Sequence, residues 1–416
     1  MNQTVNPSRL FLASCFALIT TAFSFSIRAG ILPQLGTELG LSAEQLGFIN
    51  SMWFFGFPIA MIVGGLVYYS VGPKVIMNVA FLCHTLGILL TIYAGSYSTL
   101  LISTLLIGIG NGCTEAACNP MIADMFTGAQ MNKMLNRFHM WFPGGIVIGS
   151  LLSKFMTDAG LSWQTQVWVI MIPTVVYAFL FFGQAFPTSK EVKATSLGSN
   201  FQAMLTPLFL FMFVCMAFTA ISEFGPQQWV GLIMSKSGAT PMYILALTTG
   251  LMAIGRYFGG PIIHRLNQTG VLLGGAVFAT IGIYLFSTQT GSMAYVAAIF
   301  FAIGVCYFWP TMIGFVAENI PASGALGMSI IGGVGMFSTS IWQPIIGGWI
   351  DSAKVEKATT GLTGDALELA AGQATLAKMT MFPIFLIVAF VVLWFWMRNR
   401  KPGHVDEKLV AEQPQL

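Results

Sequence analysis

Twelve stretches of roughly 20 mostly apolar residues follow one another along this chain, at about 9–33, 46–69, 74–94, 98–123, 135–157, 166–186, 204–234, 240–263, 269–288, 292–317, 323–350 and 376–397. A segment of that kind can cross a bilayer only if its backbone groups bond within the segment, which restricts it to helix. Charged residues make up only 8% of the chain and hydrophobic residues 56%, a balance outside the range of soluble domains. The expected fold class is therefore an all-α polytopic membrane protein of twelve transmembrane helices, with lipid as its main surroundings.

Lysine and arginine set the orientation, because short cytoplasmic loops collect them. With the N-terminus inside, Arg9, Lys74, Lys133, Arg137, Lys190, Lys193, Arg265, Arg398, Arg400, Lys401 and Lys408 are cytoplasmic, and Lys154, Lys236, Lys354, Lys357 and Lys378 face outward. Both termini are thus expected in the cytoplasm of a cytoplasmic (inner) membrane protein. The first span has no basic n-region or A-x-A site and reads as a retained helix. The basic cluster Arg398–Lys401 reads as a stop signal; no nucleic-acid partner is indicated.

The hydrophilic run Pro187–Asn200 divides the spans into two sets of six. It delimits an N-terminal bundle (1–187), a cytoplasmic linker (188–200) and a C-terminal bundle with a short tail (201–416). The two sets repeat each other: Ala22-Phe23 matches Ala217-Phe218 and Gly30 matches Gly225 at an offset of 195, while Gly110 matches Gly304 and Ala123-Asp124 matches Ala317-Glu318 at 194. Arg28 and Glu223, both deep in apolar stretches, are also 195 residues apart. A charge at the bilayer midplane costs about 2.5–3.5 kcal/mol on insertion scales and usually faces a partner or a wet cavity. Two partners compete for Arg28: Glu223 and Glu115. An exchangeable Arg28–Glu223 pair is favoured over a fixed one, since desolvation leaves a fixed buried pair little net stability.

Other candidates follow from residue type and spacing. Asn111, Glu115 and Asn119 recur every four residues and line one helix face. Pro226 interrupts the seventh span beside Gln227 and Gln228, whose amides both donate and accept, as hydroxyl recognition requires. Trp309 occupies the repeat position of Glu115 in the second half, where an indole face suits a pyranose ring. Gln343 stands in the interrupted element Trp342-Gln343-Pro344, and His139 in the fifth span offers a group that titrates near neutrality. Arg256, expected to bind helix carbonyls or Glu318, is assigned with Arg265 and Glu318 to gating at the cytoplasmic end. All six cysteines lie in spans without ligand spacing, and no G-x-x-x-x-G-K-[ST] occurs, so neither metal, cofactor nor ATP-driven pumping is expected.

Two such halves, with Gly65–Lys74 and Gly260–Asn267 at equivalent loops, resemble the major facilitator superfamily, whose substrate site lies between the halves. Tyr69 and His264 stand where that family's loop signature carries an acid, so the family's cytoplasmic latch is incomplete here. Ile31-Leu32-Pro33-Gln34 and Glu115-Ala116-Ala117-Cys118-Asn119-Pro120 are similar to the fucose/hexose proton symporters, with Asn136 and His139 falling on that pattern. This resemblance implies that Glu115 belongs to a central cavity and couples protons, although the family's other acid is replaced by Ala29. Gln227-Gln228 also resembles the sugar-contacting pair of sugar porters. The expectation is a monomeric secondary transporter moving a small polar solute, a sugar first, with protons. The rivals are a sugar-acid or other organic-anion carrier using the planar fork of Arg28, a uniporter and, last, a non-transporting sensor.

Overall fold

A computed structural model describes residues 5–126, 128–187, 197–258 and 260–398. All of its regular elements are helices, and each of the twelve predicted spans falls on helix. The first half comprises α1 (Pro7–Leu39), α2 (Ala43–Ile92), α3 (Tyr97–Met125), α4 (Gly128–His139), α5 (Trp141–Asp158) and α6 (Trp163–Phe181). The second comprises α7 (Leu197–Met204), α8 (Pro207–Ile233), α9 (Pro241–Phe258), α10 (Gly260–Thr288), α11 (Met293–Val305), α12 (Phe308–Asn319), α13 (Gly324–Thr359), α14 (Gly364–Met379) and α15 (Met381–Met397).

Local chemistry sets these boundaries. The α1 helix starts where the Asn6 side chain accepts from the Arg9 N–H at 3.1 Å and Pro7 occupies the first turn, and it stops at Gly40 in the left-handed region (φ 62°). Ser42 and Gln45 form a reciprocal capping box at the start of α2. A straight helix of that length, 50 residues, would measure about 75 Å, far more than a bilayer. Instead Gly72 (φ 77°) breaks the helical path, and a Cβ placed on Gly64 would lie 3.7 Å from Ile76, so α2 is a hairpin of two crossings. This break falls between the second and third predicted spans. The fifth span is interrupted at Met140, between α4 and α5, and the tenth at Cys306-Tyr307, between α11 and α12.

Residues 188–196 of the predicted linker and 399–416 of the tail lie outside the described residues, while Leu197–Asn200 already form the first turn of α7. The external connection from Asp351 to Lys378, in which residues 364–377 have helical potential by sequence, is largely helical: α13 continues to Thr359, and α14 begins at Gly364. Lys236–Asp365 (2.8 Å) and Lys354–Glu368 (2.9 Å) ion pairs hold it in place.

The halves are joined at the end of the bundle that carries residues 40–42, here termed distal, opposite the end with the chain termini. There α2 runs against α13, α5 against α9 and α1 against α8. Along the α2–α13 seam, Ser51 and Ser340 hydroxyls lie 2.8 Å apart, and Gly47 and Gly347 let the backbones touch. A carboxylate then closes the seam: Asp351 on α13 accepts the backbone N–H of Ala43 at 3.0 Å and of Glu44 at 2.8 Å, capping α2 from the other half. Asp351→Ala should cost this junction about 0.5–2 kcal/mol, the usual value of a lost helix cap. Labelling of S340C by an impermeant thiol reagent from the distal side should rise accordingly, and an unchanged rate would show that Asp351 does not hold the seam.

Candidate functional site

Arg28 is placed by close backbone approach. Gly231 of α8 packs on the Ala29 carbonyl, and Gly30 packs on Ser153 of α5 and Met242 of α9, where a larger residue would collide. Only 7% exposed, the Arg28 guanidinium donates from Nε and Nη2 to Gln228 Oε1 (3.2 and 2.7 Å), and Gln228 Nε2 donates to the Phe25 carbonyl (3.2 Å). It also lies 5.1 Å from the ring centre of Trp53 and 5.9 Å from that of Phe54. Among the described residues no carboxylate pairs with it.

The expected Arg28–Glu223 pair is therefore corrected, and so is the alternative pair with Glu115. Five residues along a helix rotate a side chain by about 140°, so when Gln228 faces α1, Glu223 is turned toward α9. There Glu223 Oε1 lies 3.5 Å from Arg256 Nη2, and Arg256 Nε donates to the Cys306 carbonyl at 2.8 Å. Arg256 thus meets Glu223 and a helix-break carbonyl, and its expected partner Glu318 is an exposed residue elsewhere on α12, as Arg265 is on α10. Phe224 separates the two cationic centres, with ring centres 5.9 Å from Phe25, 5.7 Å from Phe54 and 5.9 Å from Trp309.

The remaining candidates divide. Glu115 and Asn119 share a partly exposed face of α3, with Asn119 Nδ2 donating to Glu115 Oε2 at 2.6 Å. Gln227 Nε2 reaches the Met252 sulfur at 3.6 Å. Gln343 is fully buried, neither of its amide atoms has a partner among the described residues, and its backbone abuts Gly47 in the distal seam. His139 is exposed at the end of α4 beside Phe138.

A polar chain runs through the first half; the sequence marks His84 as a packing histidine and Asn111 as part of a polar face, but not their linkage. Tyr177 Oη lies 2.9 Å from His84 Nδ1, and His84 Nε2 lies 2.9 Å from Asn111 Oδ1. Asn111 Nδ2 donates to Ser24 Oγ at 3.3 Å, and Trp53 Nε1 donates to the same oxygen at 2.9 Å. The chain links four helices and ends on the indole that stacks on Arg28. His84 is thus a satisfied packing histidine, and the only sequence signal for its role was its place in an apolar span. His84→Ala leaves Asn111 and Tyr177 each short of a partner, a loss of about 1–2 kcal/mol. A lowered unfolding midpoint in detergent is the expected result, and an unchanged midpoint would deny the chain a structural role.

The profile of the Major Facilitator Superfamily matches residues 14–344. Among curated proteins, the hexuronate transporter of Bacillus subtilis (strain 168) is 29% identical over 151 residues, which is 36% of this chain and 35% of that protein. That match therefore spans about a third of the relative's length. The putative niacin/nicotinamide transporter NiaP of the same organism is 21% identical over 342 residues, covering 77% of this chain and 83% of the relative. Among solved structures, a bacterial homologue of the human lysosomal transporter Spinster, in an inward-facing and unoccupied conformation, superposes with a TM-score of 0.72. It is 17% identical, with 94% of this chain and 97% of that chain covered.

Proposed function

The chain belongs to the major facilitator superfamily, and from that membership we propose that it is a secondary transporter of a small organic carboxylate, a sugar acid first, moved together with a proton by alternating access. The observation that carries this reading is the Arg28 guanidinium, buried between the halves with a neutral amide and two aromatic rings as its partners. An intramembrane cation is expensive to maintain, and one that lacks a protein counter-ion is suited to receive an anion from outside the protein. Its fork can bind a carboxylate in two parallel bonds. Gln228 would then act as the resident partner that the incoming carboxylate displaces. The relative named for hexuronate supports the same ligand chemistry, since a hexuronate carries a carboxylate, and the relative named for niacin/nicotinamide is named for a carboxylate and its neutral amide alike.

In this scheme the distal end faces outward, as the distribution of lysine and arginine suggests, and the closed α2–α13 seam belongs to the inward-facing state. Glu115 and Asn119 serve as hydroxyl acceptor and donor, and Trp309 supplies an apolar face. Carriage of a neutral sugar is the second reading, favoured by the amides of Gln227 and Gln228 and by the Glu115–Asn119 element. Ligand-induced stabilisation separates the two. A ligand at a hundred times its Kd stabilises the folded state by about 2.7 kcal/mol. Glucuronate, galacturonate or nicotinate should raise the unfolding midpoint of the detergent-solubilised protein where glucose and fucose do not. A rise with the neutral hexoses alone would overturn the carboxylate reading.

A further inference from the structure

We propose that Glu223 carries the co-transported proton and that Arg256 is the partner it releases on taking that proton up. The inference rests on the proton-coupled reading above and moves the proton from Glu115 to the second half. Glu223 is 3% exposed, its Oε2 has no hydrogen-bond partner among the described residues, and its Oε1 stands 3.5 Å from Arg256 Nη2. A strong guanidinium–carboxylate bond is closer to 2.7–2.9 Å, and a permanent buried ion pair has its remaining lone pairs satisfied as well. One free oxygen and one loosely held oxygen fit an acid that alternates between an ion-paired and a protonated form.

Arg256 is built to survive the exchange. Its Nε is tied to the Cys306 carbonyl independently of Glu223, and its side chain is 27% exposed, against 5% for Glu223. When a proton settles on Glu223 Oε2, the ion pair is lost but Arg256 keeps its anchor, with Nη2 free for another acceptor. Tyr307 Oη also donates to the Gly255 carbonyl at 2.6 Å, so α8, α9 and the break between α11 and α12 meet at this pair. Losing one of these ties loosens α8 from the other two. One proton entering with one carboxylate moves no net charge, and the proton leaves when Arg256 closes back on Glu223.

Among the described residues, the groups around Glu223 leave it no other charged partner. On α9 it meets Arg256, and at the α11–α12 break it lies near Cys306, while Tyr307 is turned to the Gly255 carbonyl. Arg28 of α1 is held by Gln228 on another face of α8. The charges of α13 and α14, Asp351, Lys354, Asp365 and Glu368, are engaged at the distal end. Neither Glu356, Lys357 and Lys378, toward the helix ends, nor any residue of α15 before Arg398 brings a charge to the middle of α8. Glu115, in contrast, already accepts from Asn119 one turn along its own helix and has no cation against it among the described residues.

Proteoliposomes with radiolabelled glucuronate, and nicotinate in parallel, provide the test. Equilibrium exchange reports binding and access without net proton release, whereas accumulation down a pH gradient requires coupling. One-to-one symport gives about tenfold accumulation per pH unit. E223Q should lose this accumulation while exchange persists, whereas E115Q, which removes a solute contact, should weaken the apparent affinity in both assays and keep the ratio of accumulation to exchange that the pH gradient sets. Gradient-driven accumulation by E223Q equal to the wild type would overturn the assignment. If E223Q does not fold, the charge-neutral double variant E223Q/R256Q takes its place with the same two outcomes. Absence of exchange of either probe by the wild-type protein would instead overturn the carboxylate reading on which the assignment rests.

Discussion

Arg28→Gln lowers the efficiency of carboxylate uptake by roughly 30- to 1,000-fold, corresponding to about 2–4 kcal/mol for removing one partner of a buried charge pair. The size of the effect comes from where Arg28 sits. Among apolar and aromatic side chains a carboxylate can recover its lost hydration only from groups fixed in place, and this guanidinium is fixed by Gln228 on one edge and by Trp53 and Phe54 on its faces. Arg28→Lys keeps the charge but presents a single ammonium in place of a planar fork, so it should restore only part of the loss. The Gln variant should leave the unfolding midpoint close to that of the wild type, because the removed charge itself opposed burial. Initial rates of glucuronate uptake across a concentration series check the prediction; equal efficiency in the variant would remove Arg28 from the site.

The scaffold was far more legible in the sequence than the site. Apolar stretches are long and bounded by turn residues such as Gly40, Ser42 and Gly72, so the spans could be drawn with little tertiary information. After Asp351 the helical potential of residues 364–377 was legible, but not the ion pairs that α14 makes with Lys236 and Lys354 of other elements. Pairings inside the site depend on helix rotation, which the repeat offset does not encode. The 195-residue relation placed Glu223 opposite Arg28, but Gln228, five residues on, points at Arg28, and Arg256, expected at a gate, points at Glu223. Likewise, Asp351 carried no local signal, since the helix end it caps belongs to the other half of the chain.

Gly347→Ala shifts the protein away from the distally closed state. A Cβ at this position would run into the Ala43 carbonyl oxygen, and that segment of α2 cannot retreat freely because Asp351 binds the adjacent N–H groups. Overpacking of this kind costs about 1–3 kcal/mol, or roughly 5- to 150-fold in the balance between conformations. The cost applies only while α2 and α13 touch, so a state in which the distal seam has parted escapes it. Gly348→Ala is the control, since a Cβ there meets nothing within 4 Å. Expected results are faster labelling of S340C from the distal side and slower uptake in the Gly347 variant, with neither change in the control. Equal labelling of both would show that the seam does not open during transport.

The central claim, that a carboxylate crosses the membrane through Arg28, is tested most directly by measuring initial uptake of radiolabelled glucuronate and glucose in the same proteoliposome preparations of wild-type protein and R28Q. Wild-type protein should show saturable glucuronate uptake that collapses in R28Q, with no glucose uptake above empty vesicles in either. Saturable glucose uptake that persists in R28Q, with glucuronate excluded, would contradict that claim.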